Sequence, residues 1–311
     1  MEYRKDITDF CISEETVISL GKFDGIHRGH ERLMEYLSKE KQKGLKAVIF
    51  TFDIPPKKKV KQQEIEKVIT TNEEKMHLFE QHGIDYLIEC PFTEDIMHME
   101  PEDFVDWIVT KLHVKSLVVG TDFHFGYQRR GDHKLLQKLA LSYGYQVEVV
   151  EKVQEDGYDI SSTRIRDTIT KGQIEKANSL LGYHYFVQGI VVHGNEIGRT
   201  LNAPTANLLP PAEKILPPFG VYLTRTSIDG RIYGGITNVG CKPTISGENP
   251  IGIETNLFDF DEQIYGKEIK VEFLASVRPE MKFSSLEELK ERMQADIAYG
   301  KQVYVKTYHS L

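Results

Sequence analysis

Residues 21–30 read GKFDGIHRGH and set His27 and His30 three positions apart, with Gly21, Gly25 and Gly29 interspersed. If a helix starts near Ile26 or His27, the two imidazoles share one face. Backbone N–H groups at a helix start, with the positive end of its dipole, attract phosphate. Two imidazoles placed there would hydrogen-bond a phosphoryl group during in-line displacement. The same residues also suit a plain helix start with one histidine packed and the other solvated. A second segment, ISSTRIR at 160–166, offers the capping hydroxyls of Ser161, Ser162 and Thr163, then Arg164 and Arg166. It reads either as a polyphosphate holder or as an ordinary N-cap followed by exposed arginines. Two helix starts of this kind in one α/β stretch favour nucleotide chemistry.

A third segment, GNEIGRTLNAPTANL at 194–208, brings Gly194, Gly198 and Arg199 into a phosphate-facing loop. Thr205 and Asn207 alternate with Pro204 and Ala206, so in an extended chain their side chains project to one face. A hydroxyl and an amide carbonyl suit Mg²⁺ when phosphates and water complete the octahedron; a polar turn capped by asparagine is the plainer alternative. Glu254, in ETNLFDF, is either an edge carboxylate that keeps a strand soluble or, beside Mg–ATP, a general base.

The elements that must position these residues follow two different grammars. Between residues 17 and 153, the runs VISLGKF, KAVIFTF, DYLIECPF, SLVVGTD and YQVEVV read as strands buried on both faces. Helix signals lie between them: Leu33 and Leu37 on one face, capping-box spacing from Thr71 to Glu74, and Pro101 at a first helical position. Strand alternating with helix predicts a doubly wound sheet, in which ligands bind beyond the carboxyl ends of the strands. GKFDGIHRGH occupies that place after the first of these runs. From residue 184 the chain reads as strands with turn signals, including Asp229-Gly230. No helix interrupts them until Ser284, which opens a capping box with Glu287. The expectation is an α/β Rossmann-like domain over residues 1–182. A mainly β domain, a six-stranded barrel with a C-terminal helix, is expected over 183–311.

HxGH followed by an ISSTxIR-type segment resembles the nucleotidyltransferase superfamily. More narrowly, GKFDGIHRGH, VVGTDFHFGYQRRGD (118–132) and ISSTRIR together resemble the adenylyltransferase half of prokaryotic bifunctional riboflavin kinase/FAD synthetases. The resemblance implies that Gly21, Phe23, Asp24, His27, His30, Ser162, Thr163 and Arg164 line an ATP site, with Asp122 and Phe123 on the FMN side. The order G–GR–PTAN, NVG-KPT, ET-LFDF-YG and RPE-KF over residues 184–298 resembles the riboflavin kinase domain. It implies ATP–Mg²⁺ held by Thr205 and Asn207, with Glu254 activating the 5′-hydroxyl of riboflavin. Arg278, in SVRPEMKF, is then a surface charge or a clamp for a phosphate or flavin. Two departures stand out: the family's TFDPHP is here TFDIPP at 51–56, and its DFRFG is DFHFG, with His124 in place of a permanent charge. What the resemblance implies is a two-step synthase taking riboflavin to FMN and FMN to FAD with ATP. A member retaining one activity, or a flavin-binding regulator without catalysis, is the alternative.

Composition bounds the remaining choices. The 311 residues are 40% hydrophobic and 28% charged, as for folded globular domains. A formal charge of −8 disfavours general nucleic-acid binding, and the run at Lys57, Lys58, Lys59 and Lys61 reads as a solvated loop. The absence of a KMSKS-like segment, with the acidic surface, sets aside a class I aminoacyl-tRNA synthetase. Cys11, Cys90 and Cys241 are scattered, which suits free thiols in a reducing cytoplasm. No run approaches the roughly 20 apolar residues of a membrane span, and MEYRKDITDF lacks the apolar centre of a signal peptide. Oligomeric state is not legible from the sequence.

Overall fold

The computed structural model describes residues 1–53, 67–193, 205–241 and 251–308. The chain divides into two compact units, Met1–Glu66 with Thr70–Ser162, and Lys67–Ile69 with Thr163–Leu311. In the first unit the apolar runs form a parallel sheet. Its strands are β1 (Glu2–Lys5), β2 (Thr16–Leu20), β3 (Lys46–Asp53), β4 (Tyr86–Pro91), β5 (Val114–Gly120) and β8 (Gln146–Val150). Spatial order is β1-β4-β3-β2-β5-β8, and every pairing is parallel. β2 is buried along its whole length, as expected of a strand covered on both faces. The connection after β2 runs to β3 on one side, whereas the connection after its other neighbour, β5, runs to β8 on the opposite side. That reversal makes the carboxyl ends of β2 and β5 the switch point where a doubly wound sheet binds ligands.

The crossover helices are α1 (Arg28–Lys41), α2 (Asn72–Gln81), the single turn α3 (Glu94–Met97), α4 (Pro101–Leu112) and α5 (His133–Tyr143). On one face of the sheet, Ile18, Leu20, Phe50 and Val119 pack with Phe104 and Ile108 of α4 and Leu136 of α5. Phe50 sits at the centre of an aromatic cluster, 5.4 Å from Phe10 and 6.1 Å from Trp107. Burying each such ring stabilises the fold by roughly 1.5–3 kcal/mol. α1 packs on β2, β3 and β5. Its Tyr36 hydroxyl lies 3.2 Å from that of Ser116, which pairs with Val17 on the opposite face. The Thr71–Glu74 capping box and Pro101 at the start of α4 both form. Two short antiparallel pairs complete the unit: β6 (His124–Phe125) with β7 (Gly131–Asp132), and β9 (Gln154–Glu155) with β10 (Tyr158–Asp159).

The second unit begins with helices α6 (Ser162–Thr170), most of which it contains, and α7 (Ile174–Leu181). Six antiparallel strands follow: β11 (Phe186–Ile190), β12 (Ala206–Leu208), β13 (Gly220–Ile228), β14 (Arg231–Cys241), β15 (Ile251–Leu257) and β16 (Glu268–Pro279). Their order is β11-β16-β13-β14-β15-β12. A bridge between Val192, just past β11, and Asn207 brings the two ends of the sheet together, so the barrel is nearly closed. Asp229 and Gly230 both hold positive φ between β13 and β14, as a two-residue hairpin turn requires. Lys67–Ile69 adds a parallel bridge from Val68 to Lys214. The buried Lys214 ammonium donates to Ile69 O at 2.6 Å and lies 4.6 Å from the Tyr185 ring.

The C-terminal helix α8 (Leu286–Thr307) packs on β14. Its cap falls one residue later than the sequence suggests. Ser285 rather than Ser284 accepts from Glu288 N, at 3.1 Å. In that register the Glu288 carboxylate accepts from both the N–H (2.7 Å) and the hydroxyl (2.8 Å) of Ser284, so more donors are satisfied. Among the described residues no helix is long and apolar enough to cross a membrane. Helix and barrel meet where Gly234 leaves room for Tyr304, since a Cβ on Gly234 would lie 2.7–2.8 Å from that ring. Gly234→Ala is expected to destabilise this unit by about 1–3 kcal/mol through overpacking, read as a lowered calorimetric transition of the barrel.

Candidate active sites

The loop from β2 to α1 holds an unusual concentration of left-handed backbone: φ is 48° at Phe23, 85° at Gly25 and 30° at Ile26. Positive φ is rare outside glycine and persists only where surrounding contacts over-determine it. The turn delivers His27 to the N-cap of α1. There its Nδ1 accepts from Gly29 N at 3.2 Å, while His30 N and Glu31 N donate to its carbonyl at 2.6 and 3.0 Å. Gly29 leaves room for this, because a Cβ there would stand 3.0 Å from His27 Cε1 and press on the ring. The His27 and His30 rings stack with centroids 3.9 Å apart and planes 17° apart, and Phe23 packs on His30 at 5.1 Å.

Burial lowers the His27 pKa from its ordinary 6.5 to about 4, against the opposing pull of Asp24 and Asp122. Burial, then repulsion from His27, takes His30 well below the ordinary value. Both rings are therefore neutral at pH 7. Because Nδ1 of His27 is an acceptor, its proton sits on Nε2, which makes that edge a donor. Nδ1 of His30 is buried without a hydrogen-bond partner among the described residues. The pair thus offers neutral donors at a helix N-terminus, an arrangement suited to a phosphoryl group.

Ser162, the last residue of the first unit, meets this loop: its hydroxyl donates to Asp24 O at 2.7 Å. Thr163 and Arg164 continue the same helix, in the part of the chain that belongs to the second unit. Gly21 lies against the Phe23 ring, where a Cβ would be 3.2 Å from it. After β5, Asp122 pairs with Lys152 at 3.1 Å, and Lys152 reaches Asp159 at 3.2 Å. Phe123 stacks on Phe125 at 5.6 Å, and His124 Nδ1 donates to Asp122 O at 2.8 Å. Sequence reasoning missed Lys152 and Glu155. Glu155 forms an ion pair with Arg28, the residue between the two histidines' glycine and His27. The β9–β10 hairpin thereby touches the HxGH turn through Glu155 and is linked through Asp159 and Lys152 to Asp122 after β5. The Asp156-Gly157 turn signal marks that hairpin in the sequence, but ion pairing across more than a hundred residues leaves no periodic trace.

In the barrel, the register places Asn207 opposite Glu254 and Glu254 opposite Asn238, so two amides flank the carboxylate across neighbouring strands. Asn207 is buried, and its Nδ2 donates to Thr205 O at 3.3 Å, which fixes the amide. Glu254 is half-buried. Among the described residues no group of three or more His, Cys, Asp or Glu side chains could hold a metal. Arg278 is held by α8: its Nε and Nη2 both lie 2.8 Å from Asp296 Oδ2, and Arg292 meets the other oxygen at 3.1 Å. Gly194, Gly198, Arg199 and Pro204 lie outside the described residues, as do Ile54-Pro55-Pro56 and the Lys57–Lys61 run.

A family model described as FAD synthetase matches residues 10–164, and one described as riboflavin kinase matches residues 181–304. Among similar curated proteins, the bifunctional riboflavin kinase/FMN adenylyltransferase of Bacillus subtilis is 36% identical over 286 residues, covering 91% of this chain and 90% of its own. The Escherichia coli K12 protein of the same description is 34% identical, covering 91% of each. A solved structure from Streptococcus pneumoniae, described as a macrolide-efflux protein, superposes with a TM-score of 0.84 at 30% identity over 97% of both chains.

The neutral histidines carry a pH signature. In the unfolded chain His27 takes up a proton below about 6.5, whereas in the folded chain it resists until about 4. Protonation in that window favours the unfolded state, so the stabilisation is full above the ordinary pKa and lost as pH falls towards 4. His27 alone accounts for about 3 kcal/mol of this loss, and His30 adds to it with the same sign. Urea unfolding of the first unit, followed by emission of the single tryptophan Trp107, is expected to weaken over this range. His27→Gln should flatten the profile; an unchanged slope would mean that His27 is already charged in the native state.

Proposed function

The chain belongs to the family of bifunctional riboflavin kinase/FMN adenylyltransferases, and from that premise we propose how its two units divide the work. Residues 183–311, all in the second compact unit, phosphorylate riboflavin to FMN, and residues 1–182, most of them in the first unit, adenylylate FMN to FAD. The observation that carries this reading is that the stacked His27–His30 pair and the Asn207–Glu254 pair lie in different compact units.

In the kinase unit, Glu254 accepts the proton of the riboflavin 5′-hydroxyl as its oxygen attacks the γ-phosphorus of ATP and ADP leaves. Thr205 and Asn207 would hold Mg²⁺, which supplies charge neutralisation on the phosphates. Gly194, Gly198 and Arg199 are assigned to the ATP phosphates and Arg278 to the flavin side. In the adenylyltransferase unit, a phosphate oxygen of FMN attacks the α-phosphorus of ATP, and pyrophosphate leaves. The nucleophile is already an anion, so no base is required. His27 and His30 donate to phosphate oxygens, with Gly21, Phe23, Asp24, Ser162, Thr163 and Arg164 around the nucleotide. Asp122 and Phe123 face FMN. Positioning and charge stabilisation then carry most of the rate.

Chromatography of products from riboflavin plus Mg–ATP, and separately from FMN plus Mg–ATP, tests the reading. Glu254→Gln is expected to lower FMN formation by about 10²–10⁴-fold while sparing adenylylation of supplied FMN. His30→Ala is expected to lower FAD formation by roughly 10²–10³-fold and spare phosphorylation. Equal loss of both reactions in either variant would sink the two-site assignment. FMN without FAD from the unaltered chain would instead point to a kinase alone, with His124 and Ile54–Pro56 as the altered positions.

A further inference from the structure

The left-handed turn that carries His27 needs restraint from outside itself, and one residue with no assigned role supplies it twice. Thr70 N donates to Asp24 Oδ1 at 3.3 Å, and Gly25 N donates to Thr70 Oγ1 at 3.1 Å. Thr70 and Asp24 are 3% and 4% exposed, so water does not compete for either bond. The two bonds run in opposite directions and clamp consecutive residues, Asp24 and Gly25, immediately before the strained Ile26 and the N-cap His27. Thr70 is itself held rigidly, because the next residue, Thr71, forms the reciprocal capping box with Glu74 that starts α2.

We infer that Thr70 is a positioning residue for adenylyl transfer, fixing the Asp24–Gly25 turn so that the His27 and His30 donors face the reacting phosphate. This rests on the adenylyltransferase assignment of the first unit. Thr70 acts through the turn and touches no substrate. Removing its hydroxyl takes away the Thr70 Oγ1 bond to Gly25 N–H and loosens a turn that positive φ makes ready to relax. The N-cap ring then drifts, and the chemical step suffers more than ATP binding does.

The test uses the full chain with Thr70→Val, which keeps the shape and removes the hydroxyl, and Thr70→Ser, which restores it. Expected for the Val variant is a roughly 10- to 100-fold lower kcat for FAD formation from FMN, with the KM for ATP changed less than about threefold. The Ser variant should return to within about threefold of the unaltered chain, and FMN formation from riboflavin should stay within about twofold in both. Unchanged Trp107 emission shows that the first unit remains folded; if the Val variant unfolds, Thr70→Ala replaces it with the same expectations. A Val variant within twofold in kcat, a Ser variant as slow as Val, or a rise in KM alone would each overturn the inference. If the unaltered chain forms no FAD, the adenylyltransferase reading has failed, and long-range ¹H–¹⁵N spectra of His27 decide the role of Thr70. Loss of the single Nε2–H tautomer only in the Val variant supports it, and the same tautomer in all three chains overturns it.

Discussion

Seven residues, from Gly21 to His27, carry the chain from the last position of β2 to the first of α1. In that span the backbone must leave a strand hydrogen-bonded on both sides, reverse, and enter a helix that packs back over the strand it has just left. A relaxed loop of this length would not bring His27 to the N-cap with its ring folded over Gly29. Three left-handed residues make the turn tight enough. The surrounding sheet makes it tolerable, since burial of β2 and the hydrophobic cluster beside it outweigh a local strain of about 1–3 kcal/mol per residue. The site is thus a consequence of where β2 sits in the strand order. Moved to an edge, the same loop would lose both the crevice and the neighbours that hold it.

The barrel solves a different geometrical problem with comparable economy. Asn207 contributes its backbone carbonyl to Val192 N at 2.9 Å, the bridge that brings the first and last strands together, and its side chain to the row shared with Glu254. Any slip of β12 by one residue would turn Asn207 to the other face. It would also break the contact that closes the barrel. Register and site geometry are therefore enforced by the same bond. Outside the row, Gly234 beneath Tyr304 and the buried Arg278–Asp296 pair fix α8 against the strands. The Arg278–Asp296 pair is an ion pair that would be costly to break by removing one partner alone.

Much of this was legible in the sequence, because the deciding features are periodic or local. Buried strands read as apolar runs, caps read as Thr-x-x-Glu, and a two-residue hairpin read as Asp229-Gly230. HxGH was legible as a pattern whose meaning depended on the helix start beneath it. What escaped had no such trace. β1, EYRK, is a polar edge strand that pairs with β4 and shows no apolar alternation. Lys67–Ile69 joins the second unit through three residues, too few for any period. The partner of Arg278 lies 18 positions away on a helix, and Glu155 lies 127 positions from Arg28. The cap of α8 moved by one residue because two serines stand side by side and only hydrogen-bond geometry chooses between them.

On the proposed assignment the two transfers differ by one proton, and the two candidate sites differ in burial accordingly. A hydroxyl attacking phosphorus must lose its proton, so that site needs a base able to exchange with solvent between turnovers. Glu254 is half-buried, and the strand register sets it across from Asn207 on one side and Asn238 on the other. A phosphate attacking phosphorus brings its own negative charge, and a base beside it would do nothing. The burial that takes His27 down to about 4 makes its imidazole a weak base, but it leaves the Nε2–H available. It also places that donor where a hydrogen bond to a charged oxygen is stronger than in water. Exposed histidines would be partly protonated near neutral pH and would share their protons with solvent. On that assignment, depth of burial, set in one unit by the sheet and in the other by a strand near the barrel's seam, separates Glu254 as proton acceptor from His27 and His30 as hydrogen-bond donors.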